Sequence, residues 1–231
     1  MKMKSFLIAV AATTLATTAM AQSGSYIKAG INLANVSTTA DGRVEDANQL
    51  TSYHVGIVGD VPLGSVFSFQ PGLLFTGKGA KTQTGDASSN NYSKATTNPY
   101  YIEIPANLVL KAPIGSGTKL FVGAGPYLGI GISGKTKIET VRPLLGKSEI
   151  ERDIEFSNDD PTTLDYEEGA GFGIMRRFDY GLNGTAGIEG KSIVLGVNYG
   201  LGLAKLQSGA NNNEDNNNKH RVLSFSIGFK L

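Results

Sequence analysis

Lys28, His54, Asp60, Glu103, Lys111, Asp179 and Glu189 are ionisable residues set in segments otherwise made of apolar and small residues. A charge in such company is costly unless it is paired or hydrated. These seven therefore belong to a packed polar interior or to a narrow path for ions or protons, and Lys119 and Lys230 occupy similar positions near segment ends. The two histidines, His54 and His220, offer imidazoles for metal ligation or general-base work. With no cysteine in the chain and no third ligand at a fixed spacing, they do not amount to a metal site. Nor does any Ser stand beside a His with an orienting acid, so the expectation is no enzyme, no catalytic residue, no cofactor and no metal.

The segments that carry these residues alternate with a period of two. In Lys28–Leu33 the apolar Ala29, Ile31 and Leu33 interleave with Lys28, Gly30 and Asn32. Tyr53, Val55, Ile57, Val61 and Leu63 interleave with His54, Gly56 and Asp60. Phe67, Phe69, Leu73 and Phe75 do so with Ser68, Gln70 and Gly72, and Ile102, Ile104, Leu108 and Leu110 with Glu103, Asn107 and Lys111. Four further segments repeat the pattern, around Leu120–Ile132, Phe178–Glu189, Ile193–Leu203 and Val222–Leu231. Side chains on a strand switch faces at each residue, so one face is apolar and the other polar or small. Helical spacing fits these windows less well. Segments of about 9 to 11 residues suffice to cross a bilayer as tilted strands. The 30 glycines suit a tightly curved small barrel.

Connections alternate too. Gly64-Ser65, Pro113 to Gly117 and Gly190-Lys191 are hairpin turns. Long polar connections are expected over Val36 to Gln49, Lys81 to Asn98, Lys135 to about Arg176 and Gln207 to Lys219. The third of these carries many acids mixed with Lys and Arg, and the fourth is an Asn-rich tract over 211–218. Short turns at one end and long loops at the other are the asymmetry of outer-membrane barrels. Pro71, Pro105 and Pro126 fall inside strands, where bulges or missing ladder bonds are expected. Tyr53, Tyr100 and Tyr180 should mark the outer interface, and Phe67, Phe69 and Phe229 the inner one.

The chain opens with Met1-Lys2-Met3-Lys4, an apolar run from Phe6 to Ala16 and Ala19-Met20-Ala21. That order predicts a secretory signal over 1–21, cleaved before Gln22, with the barrel domain filling 22–231. Removing Lys2 and Lys4 takes the formal charge from +1 to −1, which argues against nucleic acid as a partner.

Six pieces then appear in order: Lys28-Ala29-Gly30-Ile31-Asn32-Leu33-Ala34-Asn35; Phe69-Gln70-Pro71-Gly72-Leu73-Leu74-Phe75 with Lys78-Gly79; Tyr101-Ile102-Glu103-Ile104-Pro105; Gly125-Pro126-Tyr127-Leu128-Gly129; Phe178-Asp179-Tyr180-Gly181; and Tyr199-Gly200-Leu201-Gly202-Leu203. Together they resemble the PorT-like family of porin-annotated outer-membrane β-barrel proteins. The resemblance implies an eight-stranded antiparallel up-and-down transmembrane β-barrel in the outer membrane of a diderm bacterium. It transfers no active-site residue, and the family's name comes from a member associated with protein secretion. One departure is the terminus, where an aromatic usually closes the last strand and here Phe229 is followed by Lys230 and Leu231.

The functional expectation is a structural or interaction role presented by extracellular loops. The alternatives are a small passive porin-like channel for ions or small polar solutes, with the seven polar residues lining its lumen, and a component of an envelope secretion or assembly machine. The partners expected are outer-membrane lipid and lipopolysaccharide, the barrel insertion machinery, and envelope or host-surface molecules met through the loops.

Overall fold

The computed structural model describes residues 24–37, 49–86, 91–142, 146–158, 174–204 and 219–231. The expected signal over 1–21, most of the first and fourth long connections, and the acids Asp159, Asp160, Asp165, Glu167 and Glu168 lie outside the described residues.

The strands are β1 (Gly24–Ser37), β2 (Leu50–Pro62), β3 (Phe67–Gly77), β4 (Ala80–Asp86), β5 (Asn91–Gly115), β6 (Thr118–Arg142), β7 (Gly146–Asp153), β8 (Glu155–Ser157), β9 (Ile174–Arg176), β10 (Phe178–Glu189), β11 (Ile193–Gly202) and β12 (Lys219–Lys230). Hydrogen bonding runs β5-β3-β2-β1-β12-β11-β10-β6, and the pairing of β5 with β6 closes the ring. Eight antiparallel strands thus form a cylinder, with the seam between the first and last strands held from Tyr26 opposite Lys230 to Ser37 opposite Lys219.

The alternation sets the faces. Ile31, Tyr53, Leu73, Leu108, Val122, Leu182, Leu195 and Phe225 are exposed on the outside of the ring. Their neighbours Asn32, His54, Lys111, Asp179, Glu189 and His220 are buried inside it. Phe67, Phe69, Tyr180 and Phe229 face outward, and Tyr53, Phe75 and Tyr100 stack on the outer surface, with 5.1 Å between the Phe75 and Tyr100 rings. Pro71, Pro105 and Pro126 lie at gaps in the ladders that do not shift the register: pairing of β3 with β5 skips from Pro71–Ala106 to Leu74–Glu103, and that of β5 with β6 from Pro105–Tyr127 to Leu108–Ala124.

Three expectations need correction. The stretches Lys81–Asn98 and Lys135–Arg176 are not plain loops: β5 and β6 are each 25 residues long and run past the ring, flanked by β4 and β7. Thr, Ser, Lys and Glu dominate there, and a sheet wet on both faces carries no apolar alternation to betray it. Lys119 is exposed rather than interior. The interior is also not uniformly polar, because Tyr26, Val58, Leu74, Val109, Phe121 and Val194 form a buried apolar cluster within it.

Candidate functional site

The inward residues stack in layers from the turn end to the loop end. At the turn end Lys111 pairs with both Asp60 and Glu189, the latter at 2.5 Å, while Lys230 reaches Glu189 at 2.5 Å and Gln70 donates to Asp60. Two lysines face two carboxylates, so this floor is charge-neutral. The apolar cluster lies directly above it, since Val58 and Val109 are two residues up their strands from Asp60 and Lys111.

A cavity of about 50 Å³ follows, bordered by Lys28, His54, Glu103, Asn107, Tyr127 and Asn198 among others. That volume admits a few waters. Lys28 donates to Asn198 at 3.1 Å. Asn32 gives its amide N–H groups to Thr76 and the Gly77 carbonyl, each at 2.9 Å. Its Oδ1 must then accept, taking Nδ1–H of His54 at 2.7 Å and the Ser224 hydroxyl at 2.9 Å. His54 is thereby fixed as a structural donor.

Above the cavity Lys78 bridges Glu103 at 2.5 Å and Asp179 at 2.9 Å. Tyr127 donates its hydroxyl to the same Asp179 oxygen at 3.1 Å, and its ring lies 4.0 Å from the Lys78 ammonium. Gly181 makes room for that ring, because a Cβ there would come within 2.7 Å of it. This cluster carries one excess negative charge, which Lys28 balances across the cavity. Among the described residues the four lysines and four carboxylates of these layers therefore balance, as a low-dielectric space requires.

At the loop end Tyr101 and His220 are fully buried and meet edge to face, 5.5 Å between centroids. Phe156 of β8 lies over them, T-shaped against Tyr101 at 5.7 Å. Gly131 is its socket, since a Cβ there would fall 2.2 Å from the Phe156 ring. Arg177 clamps the segment through the Phe156 carbonyl at 2.8 Å, and Ile154 packs with Met175 beside it. The mouth is thus covered by the chain itself.

Of the seven sequence candidates, Asp60, Lys111 and Glu189 meet at the floor, Glu103 and Asp179 share Lys78, and Lys28 and His54 border the cavity. The two histidines are held apart, His54 opposite Gly30 and His220 opposite Val36 of β1. Lys78 itself was not among the candidates, though it continues the inward parity of Leu74 and Thr76 just past the end of β3.

A closed antiparallel ring with an apolar belt outside, ion pairs inside and long strands rising at one end is a transmembrane barrel of the outer-membrane class. The chain belongs to the family described as outer membrane protein beta-barrel domain, whose model matches residues 20–208. No curated protein matches it. Among solved structures it is similar to Ail, the attachment invasion locus protein of Yersinia pestis, seen in complex with the heparin analogue sucrose octasulfate. The identity is 13%, the match covers 90% of this chain and 99% of that one, and the TM-score is 0.40. It is also similar to Neisserial surface protein A, at 15% identity, 90% and 96% coverage and a TM-score of 0.43.

Proposed function

We propose that this protein is a closed outer-membrane barrel with no enzymatic chemistry, whose structural or interaction role is carried by the sheet and loops above its outer rim. The observation that carries this reading is the contrast between an interior with cavities of only about 50 and 20 Å³ among the described residues and two 25-residue strands that run on beyond it. About 10 residues suffice to cross the membrane, so the remainder is there to be presented. Lys28, His54, Asp60, Glu103, Lys111, Asp179 and Glu189 are read as the lining that holds the lumen shut. The six ordered motifs support assignment to the PorT-like branch of the barrels, and the N-terminal pattern supports a signal over 1–21 with the mature chain starting at Gln22. Lipid and lipopolysaccharide surround such a barrel, the insertion machinery handles it, and envelope or host-surface molecules meet its outer sheet.

The competing reading is a passive channel for ions or small polar solutes, and the packing of Tyr26, Val58, Val109, Phe121 and Val194 across the lumen counts against it. Conductance of the refolded protein in a planar bilayer separates the two, with heat-modifiable migration proving the fold. Silence is expected. Steady conductance altered by Glu103→Gln with Lys111→Met would replace the interaction reading by the channel. Co-purification of a stable complex with envelope proteins would instead assign the barrel to a secretion or assembly machine.

A further inference from the structure

We propose that the mouth of the barrel is a peptide-binding groove, filled in this structure by the chain's own Ile154 to Ser157, which takes an extended segment of a partner protein with the same apolar-x-aromatic pattern. The inference rests on the reading of the outer end as the part that makes contacts, and names a site there and the chemistry it accepts.

The walls of the groove belong to the ring. On one side β6 rises past Gly131 and Gly134. On the other, β9 continues through Arg177 into β10, and the Gly131 N–H ties it to β6 by donating to the Arg177 carbonyl at 2.7 Å. The base is the fully buried pair Tyr101 and His220, carried by β5 and β12. None of these parts depends on β8.

Strand β8 lies in the groove as a bound peptide would. It is three residues long and pairs parallel with β9, from Glu155 opposite Ile174 to Ser157 opposite Arg176, whereas every other pairing among the described residues is antiparallel. A two-stranded pair that short has no stability of its own. Main-chain bonds hold it: the Ile154 N–H donates to the Gly134 carbonyl at 2.9 Å, the Arg177 N–H to the Ser157 carbonyl at 2.9 Å, and the Arg177 guanidinium to the Phe156 carbonyl at 2.8 Å. Alternate side chains then enter pockets that glycines leave open. A Cβ on Gly134 would come within 2.8 Å of Ile154 Cδ1, and one on Gly131 within 2.2 Å of the Phe156 ring. Glu155, between the two, is exposed. Backbone bonds for affinity and pockets for every second side chain are how an added strand is recognised.

The chain's own segment fills this site imperfectly. Phe156 is only half-buried. Around its socket Asp179 Oδ1, His220 Nδ1 and Arg177 Nε are buried without a hydrogen-bond partner, although Asp179 and His220 are almost wholly enclosed. Unpaired polar atoms in such a place are costly, so the cover closes less firmly than the apolar layer below it. A segment with polar groups that reach these atoms displaces Ile154 to Ser157 while keeping the two apolar anchors. Arg176 and Arg177 on the β9 side favour an acid between those anchors, as Glu155 is here. The partner is therefore an extended peptide with an aliphatic residue, an acid and an aromatic in succession.

The test titrates the full refolded protein in detergent against a fluorescent peptide that copies residues 152–158, reading binding by anisotropy. The tethered segment competes at high local concentration, so Phe156→Ala, which weakens that competitor, should tighten peptide binding by about tenfold or more over the parent. Adding Gly131→Leu to Phe156→Ala fills the socket and should abolish the gain. A peptide with alanine in place of its phenylalanine should bind neither protein. Equal binding, or none, by the Phe156→Ala protein and the parent overturns the proposal. So does binding that survives Gly131→Leu or the loss of the peptide's aromatic. If the Gly131→Leu protein loses heat-modifiable migration, Gly131→Ala on the same background decides by the same readout. Failure here leaves bilayer silence, and with it the interaction reading, intact, whereas steady conductance would overturn that reading and leave peptide binding to stand.

Discussion

Lysine–carboxylate pairs occur twice in this molecule, inside the barrel and on the sheet above it, with similar distances and opposite consequences. Lys78 is 3% exposed and Asp179 is not exposed at all, whereas Lys135 and Glu151 are more than half exposed. In water a lost partner is replaced by solvent, while inside the barrel nothing replaces it. The same chemistry is therefore structural glue in one region and an exchangeable surface in the other.

The largest effect expected from breaking this contrast is at Lys78. Lys78→Met strands Glu103 and Asp179 as unpaired buried carboxylates and should cost about 3–5 kcal/mol. Urea unfolding in lipid vesicles measures it, and adding Glu103→Gln and Asp179→Asn should recover much of the loss. Lys135→Met in the same assay should leave the midpoint where it is. A comparable shift from both variants would erase the distinction between the two regions.

Next in size is the mouth. Gly131→Leu fills the socket of Phe156 and should release the β8–β9 cover at a cost of about 1–3 kcal/mol, because a well-packed site resists added volume. Faster hydrogen exchange at the amides of Ile154 and Phe156, with the floor near Lys111 unchanged, is the expected pattern. Uniformly faster exchange would mean that the cover and barrel unfold as one unit.

The smallest effect is the pH response of the outer sheet. The Lys147 ammonium holds Glu139 below the ordinary carboxylate value, and Lys135 does the same for Glu151. In return these glutamates raise Lys147 and Lys135 above the ordinary lysine value. A lowered carboxylate stabilises at pH above its ordinary value of about 4.5 and loses that support as pH falls through the lowered one. A raised lysine stabilises below its ordinary value and loses support as pH rises through the raised one. Exchange protection on β7 should therefore be level near neutrality and decline below about pH 4.5 before the ring responds. Protection that instead rises in acid would contradict the pairing.

The ring was legible because burial on one face and lipid on the other write a strict alternation into Ile27–Leu33 or Ile193–Leu203. Only the lipid side of that pattern is strict. Inward positions accept Val58, Val109, Phe121 or Val194 as readily as Asp60, so the apolar layer hid among runs such as Leu108-Val109-Leu110 and Leu120-Phe121-Val122. Strands β4 and β7 were illegible because water touches both their faces. Lys78 lies one step past β3, beyond Phe75, the last apolar outward residue of that strand. Asp60, Lys111 and Glu189 could be placed near one end from their positions, but their meeting depends on strands that pair across the whole sequence.

The seam between β1 and β12 joins residues about 200 positions apart, as Tyr26 and Lys230 do. Until that join forms, two rows of backbone amides and carbonyls have no neighbours, and lipid offers them no hydrogen bonds. A half-inserted sheet is thus worse off than either the unfolded chain in water or the finished cylinder. Insertion is expected to be all-or-none in time, with closure of the seam as the slow and decisive event.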